Sequence, residues 1–341
     1  MTKETLKRPL RIWALLGARA GDNDQVIALA EAVGLPFETK RLSYNWLQML
    51  GPRLLGSSTA SLSASARQTL EEPLPDLTVS AGHRSVPIVR ALRRHSGGRT
   101  RSIHVGFPRV SPDHFDLVIA TPQYPIADHP KLLRTRYALT RAATAVVETS
   151  GEAEISALPA PRRLLIVGGP TLFWNLDERA LMAALSSMLE EARQDGGGVM
   201  VTTSPRTPAA IARRISSILA ASELPTILAQ PRQEPRYASL LRTADSIRVT
   251  ADSVSMISDA IWTGKPIALV PIAKSPLGRL AFRLNDAIRP EKRLYPQDLR
   301  FFWKALAEIG ISEQLAMPQV SSDREMRLIV DRSMSIIDTL S

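Results

Sequence analysis

The sequence predicts an α/β protein of two Rossmann-like domains, each a parallel sheet wrapped by helices, the two facing a cleft, with further helices at the C-terminal end. Short β-branched runs such as "LRIWALL" alternate with amphipathic stretches such as "NDQVIALAEAVG", the patterns of strand and helix in turn. That rhythm pauses over residues 142–161, "AATAVVETSGEAEISALPAP", and restarts at "RRLLIVGGP", which implies two domains. Residues 249–271, "VTADSVSMISDAIWTGKPIALVP", hold a strand, a hydroxyl-rich turn, a helix with Val254, Ile257 and Ile261 at helical spacing, and a second strand. They make one β-α-β unit.

Taken in order, "LRIWALL" is a strand, "GARAGD" a loop, and the helix that follows closes at Gly34, the residue type that most cheaply adopts the left-handed conformation after a helix. "PFETKRL" comes next, then a helical or interfacial segment from Ser43 to about Leu70. "PDLTVS", "AGHRS" and "VPIVRALRRHSGG" repeat strand, loop and helix, and "RSIHVGF" and "FDLVIAT" add two strands. After the linker, "RRLLIVGGP" enters a glycine turn and a helix covers residues 177–193. "VMVTTSPRTP", a further helix, "PTILAQ" and a short helix at residues 237–243 lead into the β-α-β unit. Beyond Pro276 three helical stretches follow, the last from Ser322. The domains are residues 1–150 and 160–315, with residues 316–341 a C-terminal helix packing back on the first domain.

Composition excludes several classes. No apolar run reaches about 18 residues and no charged-then-apolar leader is present, which predicts a cytoplasmic protein without a spanning helix. The chain has no cysteine, so thiolate metal sites and sulfur nucleophiles are out. Its five histidines lack metal-site spacing, and no metal is expected. With 43 Lys and Arg against 33 Asp and Glu, the excess of positive charge points to anionic partners. Scattered basic residues and 5% aromatics disfavour nucleic acid. "YNWLQMLGPRLL", residues 44–55, mixes Trp46, Leu47, Met49, Leu50, Leu54 and Leu55 with Arg53. This suits a segment dipping into a membrane interface, or a packed core helix.

The glycine loops narrow the chemistry. "GARAGD" is G-x-x-x-G, and "GGPTLFWN" likewise lacks the dinucleotide fingerprint; no phosphate-binding G-x-x-x-x-G-K-[ST] occurs. Redox use of a nicotinamide and P-loop chemistry are disfavoured, and a nicotinamide-dependent epimerase would need a Tyr-x-x-x-Lys pair that is absent. A sugar-nucleotide diphosphate fits better. Gly168 and Gly169 would let backbone N–H groups approach an anion, Thr202, Thr203 and Ser204 offer hydroxyls at the next strand end, and Arg206 can pair with phosphate. Asp252, Ser255 and Asp259 fall at i, i+3 and i+7 on one helical face, where a carboxylate suits a ribose diol. Asp252 as a helix N-cap is the plainer alternative.

"WALLGARAGDNDQ", "SAGHRSVPIVRALRR", "HVGFPRV", "LLIVGGP", "TTSPRTP" and "VTADSVSMISDAIWTGKP" together resemble the elongated-mitochondria family, named after a plant mitochondrial-fission factor. Its bacterial members are regarded as GT-B-type glycosyltransferases of cell-surface glycolipids. The family usually carries Glu where this chain has Asp259. The resemblance implies nucleotide-sugar binding by the second domain, through Gly168, Gly169, Thr203, Ser204, Ser253, Ser255, Met256, Asp259 and Lys265. It implies acceptor binding by the first, around Gly17, Gly21, Asn23 and Arg84.

Sugar transfer needs a stabilised leaving diphosphate and, for inversion, a base on the acceptor hydroxyl. Arg206, Lys265 and helix termini serve the first role without a metal. Asp22 is the leading base, ahead of Asp24 and His83, although "DNDQ" also reads as a helix cap. The expected protein is thus a metal-independent glycosyltransferase with no cofactor beyond its nucleotide-sugar co-substrate. It would be peripheral on the cytoplasmic face of an anionic inner membrane, with a lipopolysaccharide-core or similar glycolipid acceptor. A noncatalytic scaffold of the same fold that recruits a protein partner is the alternative.

Overall fold

The computed structural model describes residues 9–71, 73–141, 152–231, 237–289, 292–319 and 322–340. The chain divides into two compact units, Met1–Thr144 with Asp323–Ser341, and Ala145–Ser322. The linker expected at residues 142–161 lies outside the described residues over its first ten positions; its remainder holds a short helix, α5 (Glu152–Ser156).

The first unit contains β1 (Ile12–Leu16), α1 (Ala20–Val33), β2 (Glu38–Arg41), α2 (Gly51–Leu55), α3 (Ala64–Gln68), β3 (Leu77–Ala81), α4 (Val86–His95), β4 (Arg101–Val105), β5 (Leu117–Ala120) and β6 (Leu132–Arg134). They build one parallel sheet in the order β2-β1-β3-β4-β5-β6. Sheet position explains composition. Every residue of β1, flanked on both sides, is buried, whereas the edge strand β2 reads Glu-Thr-Lys-Arg and is largely exposed. Trp13, Leu15, Val86, Leu92, Phe115 and Val118 form the core on one face, and α1 packs against β1 and β3.

In the second unit, β7 (Arg162–Val167), β9 (Gly198–Thr203), β10 (Thr226–Ala229), β11 (Ser246–Thr250) and β12 (Ile267–Val270) form a parallel sheet in the order β10-β9-β7-β11-β12. Its helices are α6 (Glu178–Asp195), α7 (Ala209–Ala220), α8 (Tyr237–Thr243), α9 (Val254–Trp262), α10 (Pro276–Ile288) and α11 (Leu299–Ala307). Leu165, Val167, Leu185, Met188, Val201 and Ile215 pack between this sheet and α6 and α7. Two strands too short to read in the sequence, β8 (Trp174–Leu176) and β13 (Ile272–Lys274), pair antiparallel.

The last helix, α12 (Ser322–Ile337), belongs to the first unit. It buries Glu325, Ile329, Ser333 and Ile337, one residue per turn. The Glu325 carboxylate accepts from the backbone N–H of Arg136 at 2.7 Å, and Arg332 donates to the Pro130 carbonyl.

Residues 43–70 are not one helix. A 3-10 turn at Trp46–Leu50 leads into the five-residue α2, whose first residue, Gly51, sits at φ +71° and turns the chain. Asn45 pins this knuckle: its Oδ1 accepts from Leu47 N, and its Nδ2 donates to the Ala60 and Leu62 carbonyls. Trp46, Met49 and Leu54 are 74%, 80% and 77% exposed, which removes the packed-core-helix reading of this stretch.

Candidate functional site

Each sheet reverses its strand order once, and such switch points open crevices at the strands' C-terminal ends. In the first unit the reversal falls between β1 and β3, in the second between β7 and β11. Every candidate residue taken from the loops after these four strands therefore lies at a switch point.

The second-unit crevice is built differently from the expectation. The N–H of Gly168 donates to Thr250 Oγ1 at 2.8 Å and that of Gly169 to Asp252 Oδ2 at 3.0 Å. Both amides are consumed inside the protein and are not left for a ligand. The glycines are required by packing: a Cβ on Gly168 would stand 2.2 Å from the Asp252 carboxylate, and one on Gly169 2.3 Å from the Arg206 carbonyl. Asp252 is buried and also accepts from Thr250 Oγ1 at 2.6 Å. It is therefore a brace between two loops, neither helix cap nor ligand group. The cap of α9 is Ser253, which accepts from Met256 N.

Arg206 is likewise engaged. One guanidinium nitrogen donates to the Gly169 and Pro170 carbonyls and the other to Asp252, although the side chain stays 45% exposed. Thr203 and Ser204 are buried, and the Ser204 hydroxyl lies 3.2 Å from Thr207 Oγ1. Lys265 sits at the opposite end of the sheet, just before β12, where its ammonium donates to the Leu241 and Arg242 carbonyls at the C-terminus of α8. It complements that helix end and is not part of the crevice. The first-turn N–H groups of Val254 and Ser255 on α9 make no hydrogen bond among the described residues. Ser255 Oγ lies 3.3 Å from the Ser253 hydroxyl, and Asp259, further along α9, accepts from the Tyr237 hydroxyl at 3.0 Å. Asp252 therefore does not share the α9 face on which Ser255 and Asp259 lie.

The first-unit crevice has open groups. Helix α1 begins at Ala20, earlier than the sequence suggests, with Arg19 at the N-cap and no side chain capping it. Gly21, Asp22 and Asn23 are thus in the first turn. Asn23 clamps the preceding loop, its Oδ1 accepting from Gly17 N at 2.8 Å and its Nδ2 donating to Gly17 O at 3.0 Å. Gln25 donates to the Gly21 carbonyl, so no capping box forms and Asp22 is released from that role. Asp24 is exposed.

Asp22, Arg19, Tyr44, His83 and Arg84 line one cavity with Gly17 and Gly82. Among the described residues, none of the five polar side chains has a hydrogen-bond or ion-pair partner within the cavity. Gly82, at φ +72°, keeps this geometry: a Cβ there would lie 2.9 Å from Asp22 Oδ2. Burial pushes the Asp22 carboxyl above the usual carboxylate range, against the opposing pull of Arg19 and Arg84. Burial, with Arg109, Arg84 and Arg19 nearby, lowers His83 to about 4, so it is neutral at neutral pH. Burial also raises Tyr44 and takes Tyr124 to about 12, with the Asp22 charge adding to both. A basic carboxylate beside neutral donors and two arginines can accept a proton from a bound hydroxyl.

Sequence reasoning placed Asp22, His83 and Arg84 here but missed Arg19 and Tyr44. Arg19 lies inside the quoted "GARAGD" loop, whose turn into α1 was the available signal. Tyr44 reaches the cavity from residues read as an interfacial segment.

Residues 20–305 match the family described as Mitochondrial fission ELM1. The chain is 30% identical over 235 residues to the mitochondrial fission protein ELM1 of Arabidopsis thaliana, covering 60% of this chain and 53% of that protein. The match thus spans about half the length of that relative. An uncharacterized protein of Rickettsia prowazekii, RP120, is 23% identical over 297 residues, 76% of this chain and 82% of its own. Among solved structures, the UDP-GlcNAc 2-epimerase of Methanocaldococcus jannaschii superposes with a TM-score of 0.50 at 12% identity, over 95% of this chain and 100% of that one. A Listeria monocytogenes chain gives 0.51 at 12% identity, over 97% and 88%. At such identity these likenesses carry the fold, a GT-B-like pair of parallel sheets with C-terminal helices, and no activity. The family match over most of its length shows that this chain belongs to the mitochondrial fission ELM1 family.

Proposed function

We propose that this chain is a glycosyltransferase, moving a sugar from a nucleotide-sugar to a hydroxyl of a glycolipid acceptor at the cytoplasmic face of a membrane. The observation that carries the reading is Asp22: a half-buried carboxylate with no hydrogen-bond or ion-pair partner among the described residues, raised in basicity, at a switch-point crevice. A scaffold has no use for such a group, whereas transfer to an acceptor hydroxyl requires a base. In this reading the donor diphosphate rests at the open amides of α9, with Ser255 and the exposed edge of Arg206 beside it, and Asp259 with Tyr237 meets the ribose. These groups supply charge stabilisation without calling on a metal.

The knuckle at residues 46–55 supports the membrane. Its outward Trp46, Met49 and Leu54 lie within a stretch, residues 41–70, that contains Arg41, Arg53 and Arg67 and no Asp or Glu. An apolar tip with cations and no anions complements an acidic lipid surface. Among the described residues no helix is long and apolar enough to cross a membrane.

The reading is tested by thermal unfolding with UDP, GDP, CMP and ADP and then their sugars. A ligand at about 100 times its dissociation constant adds roughly 2.7 kcal/mol. Stabilisation by one nucleotide, reduced in Ser255→Ala or Asp259→Ala and retained in Asp22→Asn, is the expected result. Silence across the panel turns the assignment to the protein-recruiting scaffold.

A further inference from the structure

Helix α10 of the second unit carries its apolar periodicity on the side away from the core. Its inner face is fixed by two buried residues, Gly278 and Phe282. Gly278 lies so close to the chain beneath that a Cβ would stand 2.0 Å from the Phe173 carbonyl oxygen, and Phe282 packs on Phe173 and Trp174 with ring centroids 6.0 and 5.1 Å apart. Ser275 caps the helix, accepting from Gly278 N at 2.9 Å and donating to the Leu172 carbonyl at 3.0 Å. On the far side, Leu277, Leu280, Leu284 and Ile288 follow one another at i, i+3, i+7 and i+11 and are between 50% and 72% exposed. Exposed Leu172 adjoins the start of the helix. A stripe with this spacing ordinarily faces a core; a contiguous exposed one marks a surface for a partner.

The charges beside the stripe identify that partner. Arg279 and Arg283, one turn apart, form a row next to it, and Arg289 stands just past the helix end; all three are exposed and make no ion pair among the described residues. Asp286, the one acidic residue of the helix, is already held by Arg300 at 2.9 Å. We propose that α10 lies flat in the surface of an acidic lipid bilayer, its leucine stripe below the headgroups and its arginines on the lipid phosphates. The stripe runs for about 16 Å, too short to span a bilayer and long enough to lie in its surface. Arginine stems reach back to the headgroups while the leucines enter the apolar layer. A second copy of the chain would bring the same arginines together along one seam. A protein groove would seek aromatic anchors, whereas this stripe is aliphatic throughout. The proposal deepens the membrane part of the proposed function, yet it rests on residues separate from the knuckle at residues 46–55 and does not depend on sugar transfer.

The chain has no cysteine, so Leu284→Cys carries one environment-sensitive fluorophore at a chosen place. The full chain is mixed with vesicles of phosphatidylcholine alone and of phosphatidylcholine with phosphatidylglycerol. We expect the fluorophore to shift to the blue with the acidic vesicles only. Leu280→Glu with Leu284→Glu should weaken flotation on them at least tenfold with unfolding temperature unchanged. Arg279→Gln with Arg283→Gln should weaken it about fivefold for each arginine and flatten its dependence on salt. Trp46→Glu with Met49→Glu, which disables the knuckle, should leave the fluorophore's shift in place at saturating lipid. A fluorophore that stays silent while the chain floats assigns lipid to the knuckle alone and overturns the proposal; no flotation on acidic vesicles overturns both contacts. A dimer in sedimentation that Leu280→Glu with Leu284→Glu converts to monomer gives the stripe to a second copy and likewise overturns it.

Discussion

Gly168 and Asp22 show how single residues mislead or inform. In the sequence a Gly-Gly-Pro turn after a strand looks like an anion cradle, because a glycine needed for ligand approach and one needed for packing are the same letter. Distance decides: Asp252 occupies the space where a Cβ would go. Gly168→Ala is therefore expected to cost about 2–3 kcal/mol in urea unfolding by breaking the Asp252 brace; a change under about 0.5 kcal/mol would sink that account. Asp22 was legible from its place after the first strand. His83 and Arg84 were legible from the loop after the third strand, but Tyr44 was not, since it comes from a distant segment.

At the level of elements, the parallel strands were readable because flanked strands become continuous apolar runs, and α8 was placed on its own bounds by spacing alone. The knuckle was not readable as such. Apolar residues at 46, 47, 49, 50, 54 and 55 carry no single period, and nothing local announces that Asn45 will tie the turn to Ala60 and Leu62. Its exposure yields a two-part expectation. Trp46→Glu with Met49→Glu should leave stability within about 0.5 kcal/mol, as exposed positions do, yet release the protein from phosphatidylglycerol vesicles, most visibly at low salt. Unchanged vesicle binding defeats the membrane assignment, and a large loss of stability contradicts the exposed geometry.

For the whole molecule, histidines that fold uncharged contribute a loss of stability on acidification. His104 is fully buried, packed against the Phe115 ring at 4.9 Å and 3.0 Å from the Ser80 hydroxyl, and its Nε2 has no partner. Burial first, then the nearby His83, lowers it to about 3. From pH 6.5 downward the unfolded chain takes up a proton that the folded one refuses, so stability falls by about 1.4 kcal/mol per pH unit. His83 adds the same sign between 6.5 and about 4. Asp22, raised when folded, acts oppositely: its stabilising share appears as pH falls through its folded value. Urea unfolding between pH 7 and pH 5 should therefore show a steeper loss for the native chain than for His104→Gln; parallel curves would mean His104 titrates normally.

The order in which the chain is laid down gives the return of α12 to the first unit a further consequence. The ribosome finishes all of the second unit before residues 323–340 exist, while the first unit waits for the helix that covers its Arg136 amide and seats Ile329 and Ile337. Domains made first usually fold first. Here the segment synthesised earliest completes last, and a nascent chain halted before Glu325 holds an unfinished sheet unit whose uncovered apolar stripe is a ready target for chaperones.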